Sequence, residues 1–324
     1  MKKKLYWQLP FLLFLIIGTV VIVRQQRSTP YQHDEGQVFG TFYHITYQND
    51  SSLNNEILAE LAKVDSALSM FNKESIISRI NKGENVETNE MFNTVFSLAE
   101  DIADNTNGAF DITVAPLVNA WGFGFKTGNP PNKATIDSLR SVVGYKKVSL
   151  KNNHISKTDP RVMLDCSAIA KGYGCDVVAA LLRLHGIDNY LVEIGGEVVA
   201  KGISEKRLPW KIGVTKPSDD SLAVDKELQT VLNVKNMAMA TSGNYRNFYY
   251  KNGKKYAHTI DPKTGYPVQH NILSATVLAK HCAEADAYAT SFMVMGLDKA
   301  KQVLDKHPEL MAYLIRSEER RVGK

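Results

Sequence analysis

Cysteine is scarce in this sequence of 324 residues, and the three that occur form no known metal or disulfide pattern. Cys166, Cys175 and Cys282 are odd in number, so at least one thiol is free within the chain. Their spacing fits neither a CxxC pair nor a zinc ribbon. A small disulfide scaffold is therefore excluded, and we expect all three to be small buried residues.

Strong compositional bias is also lacking. Gly and Pro occur at ordinary levels, with 21 and 11 residues, while 44% of the residues are hydrophobic and 23% are charged. This composition excludes a disordered chain and a collagen-like repeat. The length is enough to bury a sizeable core in one large domain or two ordinary ones.

Acidic residues are absent from residues 1–28, which hold five of the 39 Lys and Arg residues. The formal net charge of +5 therefore belongs to this segment, since the remaining 34 bases match the 34 acids of residues 29–324. A protein that binds nucleic acid needs a basic surface on its folded body. The neutral body predicts no nucleic-acid partner.

Leu5 to Val23 is an uncharged stretch that begins just after Lys2 to Lys4. Its length is close to the roughly 20 residues that a helix needs to cross a bilayer. It fits a signal peptide or a signal anchor, and we favour the anchor because no small-x-small cleavage site follows Val23. We therefore expect an N-terminal segment over residues 1–28, a single span of the cytoplasmic membrane, and a catalytic domain over residues 29–324 on the periplasmic side.

The body predicts an α+β fold with mainly antiparallel sheets and flanking helices, because short strands joined by tight turns alternate with amphipathic helices. A polar linker is expected around residues 28–35. The expected strands are Val38–Tyr47, Phe110–Val114, Tyr190–Ile194, Glu197–Lys201, Trp210–Thr215, Gln229–Val234, Met237–Thr241, Tyr256–Ile260, Ser274–Ala279 and Met311–Ile315. The expected helices are one capped by Ser52 that runs to Leu68, then Glu90–Asn105, Ile136–Val143, Ser167–His185, Ala283–Met295 and Asp298–His307.

The run from Asp165 to Gly172 joins a strand end to the first turn of a helix. Backbone N–H groups and the helix dipole at such a turn favour an anion, and Lys171 adds a positive charge, so the run could hold a phosphate. The Gly-x4-Gly-Lys-Ser/Thr pattern of a P-loop is absent. A capped helix with a surface lysine explains this stretch equally well.

Asp286 and Thr290 are four residues apart and share one face of a predicted helix. A carboxylate and a hydroxyl are hard oxygen ligands that suit Mg²⁺. The spacing alone is weak evidence, because it occurs by chance in many helices. A buried Asp among alanines nevertheless requires a partner for its charge.

Gly195-Gly196 lies between two predicted strands, where it can form a hairpin turn or allow a ligand to approach the backbone. No Gly-x-Gly-x-x-Gly sequence follows a strand at this position, which argues against a dinucleotide site of the Rossmann type.

His258 is the best candidate for a general base among the eight histidines. It precedes a stiff turn that contains Asp261-Pro262, Gly265 and Pro267, and it follows a polar stretch around Ser242. A single histidine is more often structural, but hydroxyl neighbours and a rigid turn favour a catalytic role.

Taken in order, these segments resemble the ApbE family of FAD:protein FMN transferases between Phe39 and Gly296. The matching motifs are Phe39-Gly40-Thr41, Ser69-Met70-Phe71 with Ser75 and Asn81, Gly108 to Thr113, Trp121-Gly122-Phe123-Gly124, Asp165 to Gly172, Gly195-Gly196-Glu197, Ala240 to Gly243, His258 to Pro267, and Asp286 to Thr290. Phe39 stands where family members often have Met, and the charged run from Arg316 to Lys324 stands where the family usually continues.

The resemblance implies a reaction in which FMN passes from FAD to a Thr or Ser hydroxyl of an acceptor protein, with release of AMP and a requirement for Mg²⁺. It implies catalytic roles for His258 and Asp286, and a metal site at Asp286 and Thr290 with backbone oxygens near Ala168 and Ala289. Flavin and adenosine contacts would fall to Phe39, Phe71, Ala109, Phe110, Asp111, Asp165, Lys171 and Ile260.

The implied acceptors are redox-complex subunits with a flavinylation motif of the Asp-x-x-Ser/Gly-Ala-Thr type. Two alternatives remain from the residues themselves. One is an Mg²⁺-dependent pyrophosphatase that splits FAD into FMN and AMP, and the other is a flavin-binding protein without turnover.

Overall fold

The computed structural model describes residues 10–21, 29–124, 130–217, 227–244, 248–251 and 253–317. Its helices are α1 (residues 10–21), α2 (Asn54–Leu68), α3 (Ile76–Asn81), α4 (Glu90–Asn105), α5 (Ala115–Ala120), α6 (Lys133–Arg140), α7 (Ala170–Leu184), α8 (Cys282–Met295) and α9 (Leu297–Lys306). Its strands are β1 (Tyr31–Val38), β2 (Thr41–Gln48), β3 (Val148–Lys151), β4 (His154–Lys157), β5 (Tyr190–Ile194), β6 (Glu197–Lys201), β7 (Trp210–Thr215), β8 (Leu228–Val234), β9 (Met237–Gly243), β10 (Phe248–Lys251), β11 (Lys254–Ala257), β12 (Ile272–Ala279) and β13 (Met311–Arg316).

A seven-stranded sheet in the order β1-β2-β5-β6-β9-β12-β13 forms the centre of the fold. Every neighbouring pair in it is antiparallel. Among the described residues, three further two-stranded sheets pair β3 with β4, β7 with β8, and β10 with β11. The α+β fold with mainly antiparallel sheets is confirmed.

The polar linker expected around residues 28–35 is wrong from Tyr31 onward, because these residues belong to strand β1. Strand β1 pairs along its whole length with β2 through a two-residue turn at Phe39 and Gly40, both with positive φ. Such a turn matches the twist of the two strands. The polar composition of β1 misled the prediction because β1 is an edge strand, with a partner on one side and mostly exposed or half-buried side chains.

Helix α8 lies in the core and carries two of the predicted site residues. It packs against β9, β12, α7 and α4, and its alanines allow this close approach on several sides. At its crossing with α7, a Cβ on Gly172 would come within 2.4 Å of the Cys282 carbonyl oxygen. The Asp176 carboxylate accepts the N–H groups of Cys282 and Ala283, each at 2.9 Å, and so ties α7 to the start of α8.

Several predicted elements differ from the observed ones for local reasons. Residues 110–114 form turns instead of a strand, because the Asp111 side chain accepts the Thr113 N–H and closes the backbone locally. The strand expected at Tyr256–Ile260 ends at Ala257, and Ile260 forms only an isolated bridge with Pro267. Helix α2 begins after Leu53, and Ser52 instead donates to Asp34 and accepts from Asn54.

The predicted membrane segment is only partly described. Residues 10–21 of Leu5–Val23 are helical with mostly exposed side chains, and the other residues of that segment lie outside the described ranges, as do residues 318–324 of the charged C-terminal run. In the described part of the chain, no helix is long and apolar enough to cross a membrane.

Candidate active site

A cavity of about 810 Å³ opens beside the central sheet, where the N-terminal turn of α7, the middle of α8 and the ends of several strands meet. It brings together segments that lie as far apart in sequence as Phe39 and Thr290. The predicted site residues that line it are Phe39, Phe71, Ala109, Phe110, Asp111, Asp165, Ala168, Lys171, His258, Ile260, Asp286 and Thr290. Ala289 does not line it, because its side chain is fully buried on another face of α8.

Lys171 forms an ion pair at the base of this cavity. Its Nζ lies 2.8 Å from Oε2 of Glu197, a side chain that is only 2% exposed at the start of β6. Burial alone would lower the pKa of Lys171, but the charges of Asp286 and Glu197 outweigh it and raise the pKa well above its ordinary value. Lys171 is therefore a permanent cation between two acidic side chains.

Asp286 and Thr290 both face the cavity from α8. Asp286 is 3% exposed, its Oδ2 accepts the Gly172 N–H at 3.2 Å, and burial raises its pKa while Lys171 and that N–H oppose the rise. The Thr290 hydroxyl lies 3.0 Å from the hydroxyl of Ser242 on β9. Two hard oxygen donors thus share one face of a buried helix, as the spacing predicted.

The loop that carries Ala109, Phe110 and Asp111 is held in shape by Asp111 itself. One carboxylate oxygen accepts the N–H and the hydroxyl of Thr113, and the other accepts the Tyr145 N–H at 2.9 Å. Burial raises the pKa of Asp111, while these hydrogen bonds act against the rise. Both oxygens of the predicted ligand contact Asp111 are therefore already engaged in shaping the loop.

Asp165 occupies the end of the segment before α7. Its Oδ1 accepts the Ser167 N–H at 2.8 Å, its own N–H donates to the Ile112 carbonyl, and burial raises the pKa of its carboxyl. These bonds connect the Ile112 loop to the turn that begins α7. The expected helix cap is absent: α7 starts at Ala170, three residues later than predicted, and its N-cap residue Ile169 makes no side-chain capping bond.

Aromatic rings form the more open part of the cavity. Phe39 has a positive φ at the β1–β2 turn, and its ring lies so close to Gly174 that a Cβ there would be 2.8 Å from the ring. Phe71 is 75% exposed and is therefore available to cover a flat ligand. Phe123 lines the same cavity, and its ring centroid is 6.4 Å from that of His258 in an edge-on arrangement.

His258 follows β11 and precedes the rigid turn that the sequence predicted. The Gly265 N–H donates to the Asp261 carbonyl at 2.8 Å, and the indole N–H of Trp121 donates to the Gly265 carbonyl at 2.7 Å. The neighbouring Thr259 hydroxyl donates to Asn244 at 2.7 Å. These bonds fix the segment after His258, and the pairing of Ala257 with Phe248 fixes the strand before it.

Glu197 is the main cavity residue to which sequence analysis assigned no role. It belongs to the motif Gly195-Gly196-Glu197, in which only the two glycines have an expected role. A usable signal was present, because Glu197 begins the apolar run Val198-Val199-Ala200, where a buried acid needs a cationic partner. Ser242 and Phe123 were likewise part of motifs without an assigned role.

A metal site remains a prediction. Across the ranges that the structure describes, no group of three or more His, Cys, Asp or Glu side chains could hold an ion. The predicted site differs from such a cluster, because it contains one carboxylate together with a hydroxyl and backbone oxygens.

The fold and the cavity define an α+β protein with a large cavity that is lined by aromatic rings, by buried acids and by Lys171. The chain belongs to the ApbE family, which matches residues 39–315. The FAD:protein FMN transferase of Haemophilus influenzae is 40% identical over 308 residues, which cover 90% of this chain and 88% of that protein. The Escherichia coli K12 protein of the same name is 35% identical over 298 residues, covering 88% and 84%. The solved structure of the flavin transferase ApbE from Vibrio cholerae superimposes with a TM-score of 0.81 at 35% identity, covering 90% of this chain and 94% of that one.

Proposed function

We propose that this protein is an FAD:protein FMN transferase that moves FMN from FAD to a Thr or Ser hydroxyl of an acceptor protein and releases AMP. The observation that carries the proposal is a single cavity that unites Lys171, His258, Asp286 and Thr290 with the aromatic rings of Phe39 and Phe71. The cavity volume lies within the roughly 300–1,000 Å³ of typical ligand sites. Relatives at 35–40% identity over most of the chain bear this activity as their name.

The proposed reaction exchanges one phosphorus–oxygen bond for another. The acceptor hydroxyl oxygen attacks the phosphorus on the FMN side of the pyrophosphate, and a phosphoester bond forms. The bond from that phosphorus to the AMP oxygen breaks, and AMP leaves with the bonding electron pair. His258 takes the hydroxyl proton as general base, and Lys171 offsets negative charge on the phosphates.

The charges around the cavity fit a divalent cation. Among the described residues, its lining contains Asp65, Asp111, Asp165, Glu197 and Asp286 but only one lysine, so a pyrophosphate there would meet net negative charge. Burial raises the pKa of Asp165 and Asp286, which indicates that nearby positive charge does not fully compensate them. Mg²⁺ held by Asp286 and Thr290, with the backbone oxygen of Ala168, would supply that charge and polarise the phosphate.

Flavin binding is assigned to the aromatic rings that line the cavity. Phe39 and Phe71 lie at its wall, and Phe71 is exposed enough to stack on a ring system. Ala109, Phe110 and Asp111 line the same cavity, as do Asp165 and Ile260. The side chains of Phe110 and Asp111 are buried, so this loop contributes to ligand contact mainly through its backbone.

Residues 1–28 are proposed to anchor the protein in the cytoplasmic membrane with residues 29–324 on the periplasmic side. The apolar side chains of residues 11–17 are about half or more exposed, and basic residues flank the apolar stretch on both sides. Protease treatment of intact spheroplasts tests the topology: the body should be digested while a cytoplasmic marker survives. A protected body would contradict the proposal.

The activity is tested by incubating the purified protein with FAD, Mg²⁺ and an acceptor domain that bears the Asp-x-x-Ser/Gly-Ala-Thr-type motif. Flavin fluorescence that stays on the denatured acceptor, with one AMP released per label, is the expected result. Free FMN and AMP without a labelled acceptor would indicate a pyrophosphatase. Intact FAD bound to the protein would indicate a carrier.

A further inference from the structure

Glu197 is a fully buried acid that the proposed chemistry does not use. Its carboxylate lies 2.8 Å from Lys171 Nζ, and it lines the same cavity as Asp286. Burying a carboxylate is costly unless it is paired, so a side chain without a task at this position would be expected to be apolar, like Val198 and Val199 beside it. The pairing with Lys171 therefore has a function that an apolar residue could not serve.

The β5–β6 turn is shaped for this ion pair. Gly195 has φ +63°, and a Cβ on it would lie 3.4 Å from Cδ of Lys171, in ordinary van der Waals contact. The Cβ would also come within 2.8 Å of Thr41. The lysine stem thus lies across a turn that has no side chains, and its ammonium group reaches the first residue of β6.

Asp286 competes with Glu197 for the same ammonium group. Both acids act on Lys171 electrostatically, but only Glu197 forms an ion pair with it among the described contacts. The Asp286 carboxylate accepts a hydrogen bond from the Gly172 N–H. Among the described residues, Lys171 therefore lies near two buried acids, Glu197 and Asp286, and its ion pair with Glu197 leaves Asp286 without a direct cationic partner.

We propose that Glu197 is a positioning residue that holds Lys171 away from Asp286, so that Asp286 stays available to a divalent cation. The inference rests on the proposed function, because it assumes that Asp286 binds Mg²⁺. Without the charge of Glu197, Lys171 turns to Asp286, the nearest remaining acid, and competes with the metal ion for it.

The test compares Mg²⁺ binding by calorimetry in the full-length protein without FAD or acceptor, so that no turnover is needed. Glu197→Gln should weaken Mg²⁺ binding by about tenfold or more, because it removes one charge at close range with little change of shape. Glu197→Asp keeps the charge and should restore most of the affinity.

Glu193→Gln is the matched control. It changes the same residue type on the same hairpin, but the Glu193 side chain pairs with His44 and accepts the Gly196 N–H. It should bind Mg²⁺ as the wild type does.

The double variant Glu197→Gln with Lys171→Met separates positioning from simple damage to the cavity. It should recover Mg²⁺ affinity to within a few-fold of wild type, because the competing ammonium group is gone. Failure to recover would mean that Glu197 supports the cavity structurally, and this would overturn the proposal.

A crystal structure of Glu197→Gln gives a readout that is independent of metal. Lys171 Nζ should lie within hydrogen-bond distance of Asp286. A lysine that stays on residue 197, or Mg²⁺ affinity in Glu197→Gln equal to wild type, would overturn the inference. Absence of Mg²⁺ binding in the wild-type protein, with Lys171 still moving to Asp286 in the variant, would instead contradict the metal part of the proposed function.

Discussion

Asp286 is the residue whose chemistry depends most on its position. It is buried at the base of the cavity, near a lysine that is paired elsewhere, and it accepts one backbone N–H from α7. Because this carboxylate accepts one N–H and forms no ion pair with Lys171, it retains lone pairs that can bind a cation. The next helix offers a comparison, since Asp298 is an exposed acid in the first turn of α9.

We expect Asp286→Asn to lower the rate of FMN transfer on the order of 10²-fold or more, because the amide cannot supply the negative charge that a divalent cation needs. Labelling of the acceptor at limiting Mg²⁺ measures the loss, and Asp298→Asn should leave it unchanged. Wild-type rates in Asp286→Asn under these conditions would refute the assignment of the metal site.

Tyr47 gives a pH dependence of stability. Burial, followed by its hydrogen bond to Asp34, raises the pKa of Tyr47 from 10.0 to about 12. The folded state holds the phenol proton more tightly than the unfolded state, so this stabilisation is complete below pH 10 and is lost as the pH rises to about 12. The loss should amount to about 2 to 3 kcal/mol of unfolding free energy.

Urea unfolding at about pH 9 and about pH 11.5 measures this effect. Tyr47→Phe should be less stable than wild type at the lower pH, since Asp34 and the Leu53 N–H lose their partner. The difference between the two proteins should shrink at the higher pH. Tyr250→Phe, at an exposed tyrosine, is the control and should leave the pH dependence as it is in wild type. A constant difference for Tyr47→Phe would show that Tyr47 does not titrate in this range.

At the scale of elements, the crossing of α7 and α8 decides the geometry of the site. Gly172 lets the two helices meet, its N–H donates to Asp286, and Asp176 binds the first N–H groups of α8. Lys171 and Asp286 therefore come from two helices that are fixed to each other by backbone contacts. A change at this crossing should affect both stability and ligand binding.

Gly172→Ala should destabilise the protein by about 1 to 3 kcal/mol, because its Cβ would meet backbone atoms that cannot move without separating the helices. Denaturant unfolding gives the stability, and quenching of FAD fluorescence gives the binding, which should weaken as well. Gly213→Ala is the control, because its Cβ would meet only the exposed Leu228 side chain on β8. Equal losses of unfolding free energy in the two variants would show that the α7–α8 crossing is not more closely packed than the site of Gly213.

At the scale of the whole molecule, charge separates the chain into two parts. The five bases of residues 1–28 account for the net charge of +5, while the body is balanced. The ApbE family match begins at residue 39, beyond this segment. Both observations favour a folding unit that does not depend on residues 1–28.

A protein that begins at residue 29 should fold and transfer FMN at the wild-type rate, since the cavity residues all come from later positions. Thermal unfolding and acceptor labelling in detergent-free buffer measure this. Saturating FAD should raise its unfolding free energy by about 2.7 kcal/mol at a hundred times the dissociation constant. A truncated protein that is unfolded or inactive would contradict the predicted domain boundary.

Local pattern was sufficient for many elements and for several site residues. Periodicity predicted α4, β5, β6 and β7 with their observed bounds, because each has an apolar face or alternation that is visible without its neighbours. The prediction of buried, unpaired cysteines was also confirmed. The sequence missed α3, α5, β3, β4 and β10, which are too short for a periodic signal.

The sequence by itself determined the residue types, the helix spacing that puts Asp286 and Thr290 on one face, and the family motifs that predicted a flavin transferase. Only the tertiary structure decided which of these residues meet. Lys171, Glu197 and Asp286 lie on α7, β6 and α8, and no local rule of sequence relates them. Their pairing depends on long-range packing. Gly172 allows α8 to lie against α7, and Gly195 leaves room beside the Lys171 side chain. The Lys171 ammonium group lies near two buried acids and forms its ion pair with Glu197.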